Sequence, residues 1–117
     1  MTELKRLLER VKKFRDDRDW MQFHNHKDMA IGMAMEAAEV MEHFHWKSTS
    51  EMEEYAKTHK EEIGEELADV FVYVLELSDN LGIDIAAALD KKLDKNEKKY
   101  PVEKAKGNHK KYTEFNS

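Results

Sequence analysis

Glu36 and Glu39 form an E-x-x-E pair, and Glu66 and Asp69 form an E-x-x-D pair. Residues three apart share a helix face, so each pair can aim two carboxylates at one point. Glu36 falls on a stripe with Met29, Met33 and Val40, where an apolar side chain is expected. Asp69 is flanked by Leu67, Ala68, Val70 and Phe71. An acid in such surroundings is costly unless a cation or a partner compensates it. Four inward carboxylates on two neighbouring antiparallel helices make an all-oxygen nest, a ligand set that suits Mg²⁺ or Mn²⁺ rather than zinc. Mg²⁺ typically binds through carboxylates plus substrate phosphates, so the cluster needs no histidine. The same spacings also occur on solvated acidic faces. Two pairs, each embedded in apolar sequence on its own long helix, favour the nest. Glu61, Glu62 and Glu65 precede the apolar run and are expected at the surface, with Glu62 one turn before Glu66 and able to support it.

Other chemistries find less support. A carboxylate-bridged di-metal oxidoreductase needs two E-x-x-H motifs, and only Glu42 with His45 supplies one. There is no cysteine, no G-x-S-x-G and no glycine-rich phosphate loop, so nucleophilic catalysis has no candidate. A non-enzymatic helical interaction module, with the acids as surface decoration, stays open at this point. His43 and His45 beside Trp46 read as helix-end packing or helix-end charge.

Helices must carry these pairs. Four glycines and one proline are too few for a strand-and-turn protein, and the long segments repeat with helical period. Leu4, Leu7, Leu8, Val11 and Phe14 form one stripe, giving a helix over about 3–18. A structured connection at 20–26 leads to a second helix over about 27–46. Ser50 with Glu53 and Thr58 with Glu61 are capping-box signals, for a short helix at 51–57 and a long one at 59–80. Gly82 stops the long helix, Asp84 caps a last one over 85–99, and Pro101 ends it; 102–117 reads as a polar arm. The expected fold is all-α: a bundle of four main helices plus a short one, in a single domain spanning 1–117 with its core at about 14–101.

Val70–Leu75 is apolar all round and must be covered on every side. A chain of 117 residues, 40% hydrophobic and 38% charged, can hardly do this alone. A homo-oligomer is therefore expected, a tetramer rather than a dimer. No apolar run is long enough to span a membrane, the N-terminus does not read as a signal peptide, and cysteine is absent, which fits a cytoplasmic protein. Net charge is −5. Acids outnumber bases through residue 90, whereas 91–111 is rich in lysine. Only Tyr100 and Tyr112 lie near those lysines, so a nucleic-acid polymer is not the expected partner. A solvated helix end or a local phosphate-binding end explains them better. Trp20 and Trp46 by themselves read as core anchors, and the helix-2 methionines as core filler.

Three stretches together resemble a family: DDRDWMQFHNHKDMAIGMAMEAAEVMEHFHWK (16–47), EELADVFVYVLELSDNLGIDI (65–85) and KKLDKNEKKYP (91–101). Their order and spacing are similar to those of the MazG-like, all-α nucleotide pyrophosphohydrolases, in the branch that includes the dCTP pyrophosphatases. The resemblance implies Mg²⁺ on Glu36, Glu39, Glu66 and Asp69, and cleavage of a nucleoside triphosphate to monophosphate and pyrophosphate. It implies a base pocket from Trp20, Phe23, His24 and Trp46, and a nucleotide-facing stripe of Lys92, Asn96 and Tyr100. It also implies a dCTP-like or modified deoxynucleotide as substrate, a role in nucleotide-pool housecleaning, and dimers or tetramers with sites near subunit interfaces. Where the family commonly has E-E-x-G-E, this chain reads Met35-Glu36-Ala37-Ala38-Glu39. The paired acids survive that departure.

Overall fold

Side-chain caps set where most of the helices begin. Thr2, Asn25, Ser48 and Asp84 each accept a backbone N–H from the first turn of the helix that follows. The computed structural model describes residues 1–115, and all its regular elements are helical. In order they are α1 (Glu3–Asp17), a 3₁₀ turn (Met21–Phe23), α2 (His26–Glu42), α3 (Thr49–Thr58), α4 (Lys60–Asn80), α5 (Ile85–Lys99), α6 (Val102–Ala105) and a second 3₁₀ turn (Tyr112–Glu114). The all-α expectation holds, with no strand among the described residues. Among the described residues, no helix is long and apolar enough to cross a membrane.

Two caps differ from the sequence reading. The capping box of α3 is Ser48 with Glu51, not Ser50 with Glu53. Both serines have a glutamate three residues on, and the earlier one gives the longer helix. Thr58 caps nothing; its hydroxyl donates back to the carbonyls of Glu54 and Tyr55, and His59 starts α4 without a side-chain cap. The second helix ends at Glu42, because residues 43–46 turn away from helical geometry.

The chain divides into two compact units, Met1–Gly82 and Ile83–Ser117. In the first, α4 is the shared support: it packs along α2 and also touches α1 and α3. Met29 of α2 and Leu75 of α4 are each 3% exposed and form the small apolar core. Lys12 and Asp79 pair across α1 and α4 at 3.8 Å. His43 Nδ1 lies 2.7 Å from the Tyr55 hydroxyl, tying the end of α2 to α3, and the Tyr55 ring stacks on His59 at 3.8 Å. In the second unit the expected polar arm is partly folded. Tyr100, at the end of α5, meets the edges of Tyr112 and Phe115, so aromatic contacts that charge patterning hides anchor the described part of 102–115.

The apolar run of α4 is only partly covered within this chain. Leu75 is buried, but Phe71 and Val72 stay exposed, as do Leu67 one turn earlier and Ile31 and Met35 on α2.

Close approach of α2 and α4 depends on Gly32. A Cβ there would lie 2.6 Å from the Tyr73 ring, so any side chain would have to push the ring aside. Gly64 faces open space. Alanine normally favours a helix interior over glycine by about 1 kcal/mol. Gly64→Ala should therefore raise the thermal midpoint, whereas Gly32→Ala should lower it, overpacking costing about 1–3 kcal/mol. Paired melting curves check the opposite signs; a midpoint raised equally by both would contradict this helix contact.

Candidate active site

The two acid pairs meet between α2 and α4. Glu36, Glu39 and Glu66 each offer an oxygen such that all three lie within 4.8 Å of one another. Glu36 and Glu66 are half-buried, and Glu39 reaches solvent. One oxygen of Glu36 and one of Glu66 are enclosed with no hydrogen-bond partner. Buried acceptors of this kind are rare unless something unseen satisfies them.

Like charges crowded together resist ionisation. A hydrogen bond with Glu39, then burial, then repulsion from Glu39, Glu36 and Asp69 push the Glu66 carboxyl up to about 7. Burial, and then repulsion from Glu39 and Asp69, raise Glu36 as well. Asp69 lies outside the tight trio and is exposed, although its charge reaches both Glu36 and Glu66. The sequence reading placed it in apolar surroundings; its neighbours Leu67, Phe71 and Val72 are themselves uncovered in this chain. Glu61, Glu62 and Glu65 are exposed, as expected.

A divalent cation fits this donor set. The ligands are all oxygen, Glu36 and Glu66 each hold one unpartnered oxygen, and a cation would remove the repulsion that adds to the raised Glu36 and Glu66 carboxyls. No histidine joins the group, so the di-metal oxidoreductase pattern with E-x-x-H ligands has no counterpart among the described residues.

Beside the trio lies a cavity of about 650 Å³ within the first unit. Glu36 and Asp69 line it, together with Tyr73, Arg10, Arg15, Trp20, His24 and Glu76 and with apolar side chains that include Phe14 and Met29. Trp20 is delivered by the way α1 ends. Asp19 takes a left-handed conformation (φ 53°), which its short polar side chain tolerates. The N–H groups of Asp19 and Trp20 then bond back to the carbonyls of Asp16 and Arg15, a Schellman-type stop. Trp20 meets Phe14 edge-on at 5.7 Å and lies 6.4 Å from the His24 ring.

Thus the structure brings Glu36, Asp69, Trp20 and His24 to one cavity, with Glu39 and Glu66 in contact range of Glu36. It does not bring Phe23 or Trp46 there. Phe23 points outward from the 3₁₀ turn, 63% exposed. Trp46 is 90% exposed, stacks on His45 at 4.5 Å and holds a left-handed backbone, φ 68°. Lys92, Asn96 and Tyr100 are spaced at four-residue intervals along α5 and its cap in the second unit, with Lys92 exposed and the other two half-buried.

Sequence reasoning missed Arg10, Arg15, Tyr73 and Glu76. Glu76 carried a usable signal: like Asp69, it is an acid set directly against the apolar run of α4. Arg15 and Tyr73 gave none, because each falls where an amphipathic helix tolerates its residue type.

The chain is similar to known proteins over most of its length. The profile of the MazG-like family matches residues 31–115. The rat protein named dCTP pyrophosphatase 1 is 36% identical over 104 residues, which are 87% of this chain and 61% of that one. The human protein of the same name is 32% identical over equal shares. This chain thus spans less than two thirds of the length of these relatives. The crystal structure of a pyrophosphatase from Archaeoglobus fulgidus superposes with a TM-score of 0.81 at 38% identity, covering 86% of this chain and 94% of that one. The profile match and a superposition over 86% of the chain agree, and this chain belongs to the MazG-like family.

Proposed function

We propose that the protein hydrolyses nucleoside triphosphates, with deoxynucleotides of the dCTP-like or modified kind preferred, to monophosphate and pyrophosphate in nucleotide-pool housecleaning. The observation that carries this reading is the trio of Glu36, Glu39 and Glu66, with its orphaned buried oxygens, beside a cavity that ends in an aromatic ring and a histidine. The names of the relatives point to the same chemistry.

On this reading the trio, with Asp69 as the fourth carboxylate, holds Mg²⁺, with Mn²⁺ as a substitute. The cation would neutralise the polyphosphate and polarise its oxygens. The chain's own groups do the rest. Phosphoryl transfer asks mainly for positioning and electrostatic stabilisation. Arg10 and Arg15 bring positive charge to the cavity wall. Trp20 offers a ring face to the base, and its apolar neighbours exclude water. A carboxylate beside the attacking water accepts its proton, and attack falls on the α-phosphorus. The half-covered run of α4, with exposed Leu67 and Phe71 beside Ile31 and Met35 of α2, supports assembly into a homo-oligomer, a tetramer in our reading. Sedimentation at micromolar concentration should then show no stable monomer; a single monomeric boundary would contradict it.

Release of pyrophosphate from a panel of canonical and modified triphosphates in Mg²⁺ tests the activity. Glu39→Gln and Asp69→Asn should each lower turnover at least about a hundredfold while keeping the helical fold. Wild-type rates in either variant at low millimolar Mg²⁺ would refute the metal-site assignment.

The raised carboxyls also set a pH dependence. Between the ordinary glutamate value of 4.5 and about 7, folded Glu66 keeps a proton that the unfolded chain has lost. The metal-free protein therefore loses stability as pH rises through that window. Cation binding displaces the proton, so stabilisation by Mg²⁺ should be greater at pH 8 than at pH 6. Melting curves with EDTA and with Mg²⁺ check both signs, and Glu66→Gln should flatten both dependences. A metal-free protein equally stable across the window would contradict the crowded trio.

A further inference from the structure

Glu76 is 2% exposed, yet it belongs to no acid pair and lies two turns beyond Asp69 on α4. A carboxylate held that deeply needs partners. Its Oε2 lies 2.7 Å from Nδ1 of His24, on the connection between α1 and α2. Arg15, itself 7% exposed, supplies positive charge nearby, and its guanidinium is fixed by Asp16 at 2.8 Å and Asn80 at 3.4 Å. All three of Glu76, His24 and Arg15 line the cavity that also receives Glu36 and Asp69.

The geometry constrains the histidine. An ionised carboxylate only accepts hydrogen bonds, so the proton in this contact sits on Nδ1. Nε2 is the ring nitrogen left for a ligand in the cavity, and with Nδ1 donating to Glu76 a neutral ring would present its lone pair there. From Asp69 to Glu76 the helix rises about 10 Å, at 1.5 Å per residue, which is the scale of a nucleoside. Phosphates at the carboxylate end would thus put a base near His24.

We propose that Glu76 is a specificity-determining positioning residue. It holds His24 with Nδ1 donating and Nε2 accepting, so that the cavity selects nucleobases presenting an amino group over those presenting a carbonyl. This inference rests on the nucleotide reading above. Its physical basis is mismatch. An amino hydrogen satisfies the lone pair, whereas a carbonyl oxygen faces it with both acceptors unpaired.

The 2′-deoxynucleoside triphosphates of cytosine and of uracil differ at C4, amino against carbonyl, and at the adjacent N3, which accepts in cytosine and donates in uracil. The ratio of their kcat/KM values reads the selection. Wild type should favour cytosine, and Glu76→Gln should lower the ratio about tenfold or more, because an amide can also donate to Nδ1 and so reverse the tautomer. In a His24→Ala background, Glu76→Gln should leave the ratio unchanged. A wild-type preference for uracil, an unaltered ratio in Glu76→Gln, or the same shift with His24 absent would overturn the proposal. The last outcome is what a merely structural glutamate would give. Should Glu76→Gln fail to fold, the imidazole ¹⁵N shifts of the wild-type protein decide. A neutral ring protonated on Nδ1 supports the assignment, and one protonated on Nε2 or on both nitrogens contradicts it. If wild type hydrolysed neither triphosphate, the pyrophosphohydrolase reading would fall by itself. Equilibrium binding of the two deoxynucleoside monophosphates would still measure the selection.

Discussion

Mutual repulsion among the carboxylates is the constraint around which the first unit is built. Three glutamate side chains offer oxygens within 4.8 Å of one another, and one oxygen of Glu36 and one of Glu66 face no partner. Such an arrangement persists only if the surrounding helices hold it in place. α2 and α4 do so by packing along each other, with the Tyr73 ring seated against Gly32 and with Met29 and Leu75 sealing the contact. The same repulsion makes the site receptive, since a divalent cation gains from every carboxylate that protein packing has already brought together.

The cavity extends this logic from charge to shape. Its liners on α4 run from Ala68 and Asp69 to Glu76, so one helix presents acids that suit a cation at one end and a buried acid that orients a histidine at the other. The two acids differ in what faces them. Asp69 is exposed and repelled by its neighbours, whereas Glu76 is enclosed with His24 and Arg15 around it. Similar residues on one helix acquire different roles because the side chains opposite them differ. The termination of α1 matters here as much as the long helices, because the left-handed turn at Asp19 delivers Trp20 and then His24 to the cavity wall.

Much of this was legible in the sequence because helical period and i,i+3 spacing are local properties. The position of Glu36 on an apolar stripe foretold its half-buried carboxylate, and Asp84 and Gly82 marked the break before α5. What escaped prediction depends on contacts across the fold. Nothing local distinguishes Ser48 from Ser50 as the α3 cap, or shows that Tyr112 and Phe115 gather on Tyr100. Burial of Arg15 and Glu76 follows from α1 meeting α4, a pairing that no spacing rule encodes. Asp69 and Trp46 both lie exposed although apolar or aromatic residues flank them, and there sequence neighbours were a poor guide.

In the proposed reaction the carboxylate nest directs water to the α-phosphorus of a nucleotide. Turnover of a deoxynucleoside triphosphate in H₂¹⁸O with Mg²⁺, followed by mass analysis of both products, tests it directly. Label in the monophosphate, with unlabelled pyrophosphate, is the expected result. Label in pyrophosphate, or release of orthophosphate in place of pyrophosphate, would contradict it.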